Sequence, residues 1–226
     1  MTGLLDVQSI TKSFGPITAV DGISFSVPKG EVLGFLGPNG AGKSTTMKIA
    51  TGFLHPDSGD VTVCGADMNA TPLTAKERLG YLPEGAPLYG DMSAGAFLEF
   101  VARARGLTGT EAQKAIDWAV EAVSLEDILL QPIDTLSKGY QRRVGIAQAI
   151  MHNPDVLILD ETTDGLDPNQ KHEVRDLIRS MAAEKAIVIS THILEEVQAV
   201  CTRAVIIDRG RIVMDGTPVE FLARSR

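Results

Sequence analysis

The sequence is poor in cysteine and in aromatic residues. It holds two cysteines in 226 residues, and aromatic residues make up 5% of the chain. Cys64 and Cys201 lie far apart and form no C-x-x-C pair, which argues against a disulfide framework or a thiolate metal site. We expect two free thiols in a reducing compartment.

The chain also lacks an excess of positive charge. Lysine and arginine number 21 against 29 aspartates and glutamates, which gives a net charge of −8. The basic residues form no block, whereas a nucleic-acid-binding surface needs a basic patch. The composition therefore argues against a nucleic acid partner.

Long apolar runs are missing as well. A membrane-spanning helix needs about 18 to 20 apolar residues in succession, and no stretch comes near that length. The N-terminus has neither the basic start nor the apolar core of a secretory signal. Internal repeats and Pro/Ser-rich linkers are also missing, so we expect a cytoplasmic protein with no second nucleotide-binding domain.

What the chain does contain is a glycine-rich loop with a characteristic spacing. Residues 37–45 read GPNGAGKST and follow the apolar stretch 32–36, so we expect a buried strand that leads through this loop into a helix. Its glycines allow backbone N–H groups to converge on phosphate oxygens. Lys43 can bridge the β- and γ-phosphates, and Ser44 can ligate Mg²⁺. The loop predicts nucleoside triphosphate binding by Asn39, Gly40, Ala41, Gly42, Lys43, Ser44 and Thr45.

Two acidic residues end a later strand pattern. Asp160 and Glu161 follow the apolar residues 156–159, at the sheet edge where open α/β folds bind their ligands. Asp160 would hold Mg²⁺, and Glu161 would act as general base toward the attacking water. His192 follows another apolar strand and would contact the γ-phosphate and the water. The competing interpretations are a solvated strand end for the two acids and a helix cap for the histidine.

Three motifs after the glycine-rich loop occur in a family-specific order. They are LSKGYQ at 136–141, VLILDE at 156–161 and STH at 190–192. Together with the loop, they make the chain resemble the ATP-binding subunits of ABC transporters over nearly its whole length. Among these it is most similar to the bacterial branch that serves small exporter-type permeases, in which YLPE, here at 81–84, and LSKGY are common variants.

The resemblance implies an α/β fold: a P-loop ATPase core with a parallel sheet, an antiparallel β subdomain and an inserted helical subdomain. Apolar alternation within 4–27 agrees with antiparallel strands, which we expect to break at Gly15-Pro16 and again at Asp21-Gly22. Near the end of the chain, a hairpin is expected at 208–211.

Helical periodicity begins at about residue 84 and ends at about residue 152, and βαβ units follow it. Together with the resemblance, this pattern predicts a single ABC ATPase domain, 1–226. Its predicted parts are an α/β core with the β subdomain, 1–83 and 153–226, and a helical subdomain, 84–152.

The resemblance adds contacts in the same chain that the residues alone do not identify. Phe14 lies where the family stacks an aromatic ring on the adenine, and Val20 would complete an apolar shelf beside that ring. The alternative for Phe14 is a packing role in the core. Glu84 stands where most members carry glutamine, and it would serve as an oxygen ligand of Mg²⁺.

Three further residues are expected to act on the nucleotide of a second subunit. Ser137 and Gly139 remain from the LSGGQ signature of the family, whereas Lys138 and Tyr140 replace its glycine and glutamine. The serine hydroxyl and the glycine N–H would bind the γ-phosphate of the partner subunit's ATP, with a plain helix cap by Ser137 as the alternative. Asp167 fits the family's loop that crosses the dimer interface.

These features predict the ATP-binding and ATP-hydrolysing subunit of an ABC transporter, with ATP and Mg²⁺ as cofactors. We expect a homodimer, or a heterodimer with a similar ATPase, that has two composite ATP sites. It would lie at the cytoplasmic face of the cell membrane and power export by integral membrane permease subunits. A groove near Leu88, Tyr89 and Met92 would receive a permease helix. The alternatives are a soluble ABC-type ATPase with a non-membrane partner, or a P-loop kinase or GTPase; the chain has no Asn-Lys-x-Asp motif for guanine.

Overall fold

The computed structural model describes residues 3–85, 87–162 and 166–224. Two sheets and the helices around them make up these ranges, and two short 3-10 turns lie between α4 and α5. The elements are β1 (Leu5–Phe14), β2 (Ile17–Val27), β3 (Val32–Leu36), α1 (Lys43–Ala50), β4 (Ser58–Val63), β5 (Ala66–Asp67), α2 (Pro72–Glu77), β6 (Leu79–Leu82), α3 (Ala94–Ala104), α4 (Gly109–Ala122), α5 (Lys138–Ile150), β7 (Val156–Asp160), α6 (Pro168–Ala182), β8 (Ala186–Thr191), α7 (Leu194–Val200), β9 (Arg203–Asp208), β10 (Arg211–Gly216) and α8 (Pro218–Arg224).

The larger sheet has the strand order β10-β9-β3-β8-β7-β6. The β10–β9 pair is antiparallel, and the other neighbours are parallel. β7 and β8 are buried along their whole length, and both consist largely of aliphatic and β-branched residues. Strands that are covered on both faces require this composition. The parallel α/β core predicted from the sequence is confirmed.

The parallel register aligns the ends of the central strands. Leu36 lies opposite Thr191, and Asp160 lies opposite Ser190. The glycine-rich loop, the two acidic residues after β7 and the segment that leads to His192 therefore leave the sheet at the same edge. This is the edge at which open α/β sheets bind their ligands.

The smaller sheet is antiparallel and has the order β2-β1-β4-β5. The turn between β1 and β2 falls at Gly15-Pro16, as predicted. The second predicted break, at Asp21-Gly22, is wrong, because β2 continues through these residues. They oppose the single residue Thr11 of β1, and the φ of Gly22 is 65°. The glycine therefore marks a β-bulge inside the strand instead of its end.

Helices α3, α4 and α5 lie within the segment predicted to be helical. On α4, Ile116, Ala119 and Val120 follow helical spacing and are buried. They share one core cluster with Leu98 of α3 and Val144 of α5. Burial of one apolar face per helix explains the periodicity of the sequence. The subdomain bounds given above stay a prediction.

The hairpin expected at 208–211 is confirmed. β9 and β10 pair with Asp208 opposite Arg211. The two turn residues, Arg209 and Gly210, have φ values of 47° and 78°, which is the backbone that a tight two-residue hairpin turn requires. The N–H of Gly210 donates to the carbonyl oxygen of Ala41 at 2.8 Å. The turn is thus hydrogen-bonded to the glycine-rich loop.

The described helices are short, and the longest of them, α6, has 15 residues. Across residues 3–85, 87–162 and 166–224, none has both the length and the apolar character that crossing a membrane requires.

Candidate nucleotide-binding site

The glycine-rich loop connects β3 to α1 and packs closely against two other strands. The φ of Gly42 is 107°, and a Cβ at this position would lie 2.4 Å from the carbonyl oxygen of Ala19 in β2. A Cβ at Gly37 would lie 2.4 Å from the carbonyl oxygen of Ile207 in β9. Only glycine fits at either position. The spacing of glycines in the sequence therefore reflects both backbone conformation and close approach.

The side chain of Lys43 turns back over this loop. Its ammonium group donates to the carbonyl oxygens of Gly37, at 2.9 Å, and Pro38, at 3.2 Å. The side chain is almost fully buried, and its Nζ lies 3.8 Å from Oε1 of Glu161. A desolvated positive charge is thus held between the loop and the end of β7.

A cavity of about 510 Å³ opens beside the loop. Its volume lies within the range of small-molecule pockets, about 300 to 1,000 Å³. Ala41 is the one predicted loop residue that does not line it, because its side chain is packed in the core. The lining residues are Phe14, Ala19, Asn39, Gly40, Gly42, Lys43, Ser44, Thr45, Glu84 and Glu161.

Asp160 ends β7 and is fully buried. Its Oδ1 accepts a hydrogen bond from the Ser190 hydroxyl on β8. Among the residues that the structure describes, Oδ2 has no hydrogen-bond partner. Burial raises the pKa of Asp160, against the opposing effect of the Ser190 and Ser44 hydroxyls. A buried carboxylate oxygen that has no hydrogen-bond partner is suited to binding a cation.

The oxygen atoms near Ser44 fit Mg²⁺. The Ser44 hydroxyl lies 3.4 Å from Oε2 of Glu84, and Asp160 adds the buried oxygen described above. Hydroxyl and carboxylate oxygens are the hard ligands that Mg²⁺ prefers. In the described part of the chain, no group of three or more His, Cys, Asp or Glu residues could hold a metal ion alone. An ion here needs phosphate oxygens as well, and nucleotide-bound Mg²⁺ commonly uses them.

The backbone turns sharply at Glu161. Its φ is 50°, in the left-handed region that residues other than glycine rarely adopt. The N–H of Glu161 donates to the carbonyl oxygen of Ser190 at 3.0 Å. The guanidinium group of Arg142, on α5, donates to the carbonyl oxygen of Glu161 at 2.6 Å. The turn separates two adjacent carboxylates, since that of Glu161 reaches the cavity while that of Asp160 stays buried.

His192 lies across from this carboxylate, just after β8. Its Nδ1 is 3.6 Å from Oε1 of Glu161, and its side chain is 41% exposed. The structure therefore brings the three predicted catalytic residues together, with Glu161 within 4 Å of both Lys43 and His192.

A family model described as "ABC transporter" matches residues 20–164. The chain belongs to the ABC transporter family. It is 39% identical to the linearmycin resistance ATP-binding protein LnrL of Bacillus subtilis (strain 168), over 98% of this chain and 71% of that protein. It is 36% identical to the Nod factor export ATP-binding protein I of Ralstonia nicotianae, over 99% of this chain and 70% of that protein.

Solved structures agree with this assignment. An ATP-binding subunit of an ABC transporter superposes with a TM-score of 0.88 at 30% identity, over 98% of this chain and 92% of that one. The cbiO1 subunit from Clostridium perfringens, part of the ABC transporter complex cbiONQ, gives 0.86 at 29% identity, over 100% and 92%. The chain is an ATP-binding and ATP-hydrolysing ABC transporter subunit, as its motifs predicted, and the kinase or GTPase alternative is wrong.

In this ABC transporter subunit, Phe14 takes its predicted place beside the cavity and Val20 does not. Phe14 lines the cavity and is 50% exposed, so it is not a core residue. The prediction for Val20 is wrong, because its side chain is fully buried in the core and its neighbour Ala19 lines the cavity instead. Successive residues of a strand point to opposite faces, so β2 can present only one of the two.

The three residues predicted to act on a partner's nucleotide lie outside the cavity of their own chain. Ser137 caps α5, since its Oγ accepts from the N–H of Tyr140 at 3.3 Å. Gly139 is buried in the first turn of the same helix. Asp167 caps α6; residues 163–165, just before it, lie outside the described part of the chain. The predicted site residues of this ABC transporter subunit therefore form two separate sets.

Sequence reasoning missed two polar residues that hold the ABC transporter subunit's acidic pair. In the sequence Ser190 is only the first residue of the STH motif, and its pairing with Asp160 follows once β7 and β8 are placed side by side. Arg142 gives no signal in the sequence, because its bond to Glu161 depends on how α5 packs against the end of β7.

Proposed function

We propose that this subunit hydrolyses MgATP in the cavity beside its glycine-rich loop and thereby powers export through separate integral membrane permease subunits. The position of Glu161 carries the proposal. Its carboxylate lies 3.8 Å from Nζ of Lys43 and 3.6 Å from Nδ1 of His192, beside a cavity of suitable size for a nucleotide.

Residues 37–45 would bind the phosphates. Backbone N–H groups of the loop and of the first turn of α1 would converge on their oxygens. Lys43 would exchange its bonds to two loop carbonyls for the β- and γ-phosphates. Because its ammonium group is already desolvated, the exchange adds attraction between opposite charges without a new desolvation cost for the lysine.

Mg²⁺ would be held by the Ser44 hydroxyl and by Asp160, with Glu84 as an additional oxygen ligand. When bound, the ion neutralises charge on the phosphate oxygens. Ser190 would keep Asp160 in place through its hydrogen bond to Oδ1, which leaves Oδ2 for the ion.

Glu161 would accept the proton of the attacking water. The water oxygen bonds to the γ-phosphorus, the bond from that phosphorus to the bridging oxygen breaks, and ADP and phosphate result. His192 would hold the water and the γ-phosphate. Arg142 and Ser190 keep the backbone of Glu161 in the conformation that aims its carboxylate.

The open side of the cavity would receive the adenine. Phe14 presents an exposed aromatic face there, and Ala19 lies beside it. Stacking on an aromatic ring depends little on which base is bound.

A second subunit would complete each site. Ser137 and Gly139 stand at the start of a helix of 13 residues, apart from the cavity of their own chain. In a head-to-tail dimer, homomeric or with a similar ATPase, they would bind the γ-phosphate of the partner's ATP. Asp167 would lie in the same interface.

An apolar surface beyond Glu84 is the proposed docking surface for the permease. Tyr89 and Phe100 are 59% and 46% exposed and contact each other edge to face, with their ring centroids 5.6 Å apart. Leu88 and Met92 are half-buried against the core beside them. Exposed aromatic clusters mark interaction sites, and a docking helix needs such apolar contacts.

Two relatives, a linearmycin resistance ATP-binding protein and a Nod factor export ATP-binding protein, support movement of a substrate out of the cell. The subunit would then lie at the cytoplasmic face of the cell membrane, bound through its permease.

Crosslinking in the native host tests the permease. A photo-crosslinking residue in place of Tyr89 should give an adduct with an integral membrane protein in the membrane fraction. Val213 is the matched control, because it is 60% exposed on β10, at the opposite edge of the larger sheet from β6. Adducts from position 89 with soluble proteins only would contradict the proposal and favour the soluble ABC-type ATPase.

A further inference from the structure

Gln170 lies between the two segments that are proposed to contact the partner subunit, which are residues 137–139 and Asp167. It lies in the first turn of α6, and its Oε1 accepts from the N–H of Asp167 at 3.3 Å. In return, Oδ1 of Asp167 accepts from the N–H of Gln170 at 3.0 Å. This reciprocal pair is a capping box, and it fixes the direction of the Gln170 side chain.

The same side chain fills the space beside Gly139. A Cβ on Gly139 would lie 2.5 Å from Oε1 and 2.8 Å from Nε2 of Gln170. Gly139 is buried, while Ser137 and Lys138 just before it are exposed. The amide of Gln170 therefore sets the distance between the first turn of α5 and the first turn of α6.

We propose that Gln170 is a positioning residue for the composite ATP site, which holds residues 137–139 and Asp167 as one rigid surface for the partner subunit. This inference rests on the proposed function, in which both segments face the partner. A surface that is already ordered loses less conformational entropy on association, so its affinity for the partner is higher. Gln170 does not line the cavity, so we expect its effect on association and not on the binding of ATP by one chain.

Sedimentation of the Glu161→Gln protein tests this role. In that background, Gln170→Ala should raise the ATP concentration needed for dimerisation about tenfold. Asn169→Ala is the matched control, because this amide is the neighbouring residue on α6 and is exposed; it should leave the concentration unchanged. Binding of ATP by the dilute monomer should be the same in all variants.

A second pair of variants separates positioning from a general effect of the substitution. Gly139→Ala should also weaken the dimer, because the added Cβ displaces the Gln170 amide from Asp167. In the Gly139→Ala/Gln170→Ala double variant that clash is gone. The two losses should therefore be less than additive.

Each outcome has a distinct meaning. A Gln170→Ala variant that dimerises like its parent, or additive losses in the double variant, would overturn the positioning role and leave the composite site standing. Weaker ATP binding by the monomer would show a change in the fold and would also overturn it. A parent that stays monomeric in saturating MgATP would overturn the composite site, and the positioning role with it.

Discussion

At the scale of single residues, Glu161 determines what the cavity can do. Its left-handed backbone costs about 1 to 3 kcal/mol and persists because neighbouring groups hold it. Ser190 and Arg142 provide two of these contacts. Strain is thus concentrated at the residue that is proposed to take the proton, and it separates this carboxylate from that of Asp160.

Replacement of Glu161 by glutamine should lower the ATPase rate about 10²- to 10⁴-fold, because an amide cannot accept the proton of the water. Binding of ATP should persist, whereas Lys43→Ala should weaken binding itself by removing a charge from the phosphates. Phosphate release and nucleotide titration measure the two effects. Glu99→Gln, an exposed acid on α3, is the control and should be neutral. An undiminished rate in Glu161→Gln would mean that another group is the base.

The sequence predicted which residues surround the cavity wherever residue type and spacing are specific. Lys43, Ser44, Asp160 and Glu161 stand at fixed distances from glycines or from buried strands, so their neighbourhood could be predicted. The choice between Ala19 and Val20 could not, because it depends on which face β2 turns to the loop. Register shifts in the β1–β2 ladder interrupt the simple alternation that sequence reasoning uses.

At the scale of elements, the glycine-rich loop is shaped by its contacts with β2 and β9. Gly42→Ala should destabilise the fold by about 1 to 3 kcal/mol and weaken ATP binding, because a Cβ would meet the Ala19 carbonyl oxygen at 2.4 Å. Thermal unfolding and nucleotide titration measure this.

The control for that substitution is Gly65→Ala, in the β4–β5 turn. Gly65 also has a positive φ, 81°, but its Cβ would meet nothing within 4 Å. This variant carries backbone strain without the clash and lies away from the cavity. Equal effects of the two substitutions on ATP binding would contradict the importance of close packing at Gly42.

His152, just after α5, should make stability depend on pH. Its Nε2 lies 3.1 Å from the carbonyl oxygen of Leu79, and burial, followed by the nearby Arg105 charge, lowers the pKa of His152 from 6.5 to about 4. Between these two values the unfolded chain binds the proton and the folded chain does not, so this contribution to stability is present above pH 6.5 and is lost as the pH falls toward 4.

Urea unfolding at pH 7 and pH 5 measures that loss, which should be about 2 kcal/mol between these two pH values. His152→Gln cannot take up a proton and should be less sensitive to acid than the natural protein. Equal sensitivity of the two proteins would show that His152 is not the group responsible.

Helices and turns were predicted correctly where one sequence pattern dominates, and incorrectly where two patterns compete. The helical period of α4 follows from its buried face, and the 208–211 turn from its flanking apolar strands. At Asp21-Gly22 the residue types favour a turn, but pairing with β1 on one side overrides that local preference. A bulge and a turn use the same residues, so only the long-range pairing distinguishes them.

At the scale of the whole molecule, each subunit of the proposed dimer would carry half of each of two sites. The cavity with Lys43, Ser44 and Glu161 lies at the edge of the larger sheet. The starts of α5 and α6, with Ser137 and Asp167, lie outside this cavity. The proposed dimer explains why both are present.

In the proposed cycle, ATP completes a composite site between two subunits, and Glu161 ends this state by activating water. Gel filtration with light scattering and nucleotide quantification on Glu161→Gln tests this cycle. In MgATP the variant should elute as a dimer that retains one ATP per chain, and in MgADP as a monomer; Ser137→Arg should abolish the dimer. A monomer that holds ATP at saturating MgATP would contradict this cycle.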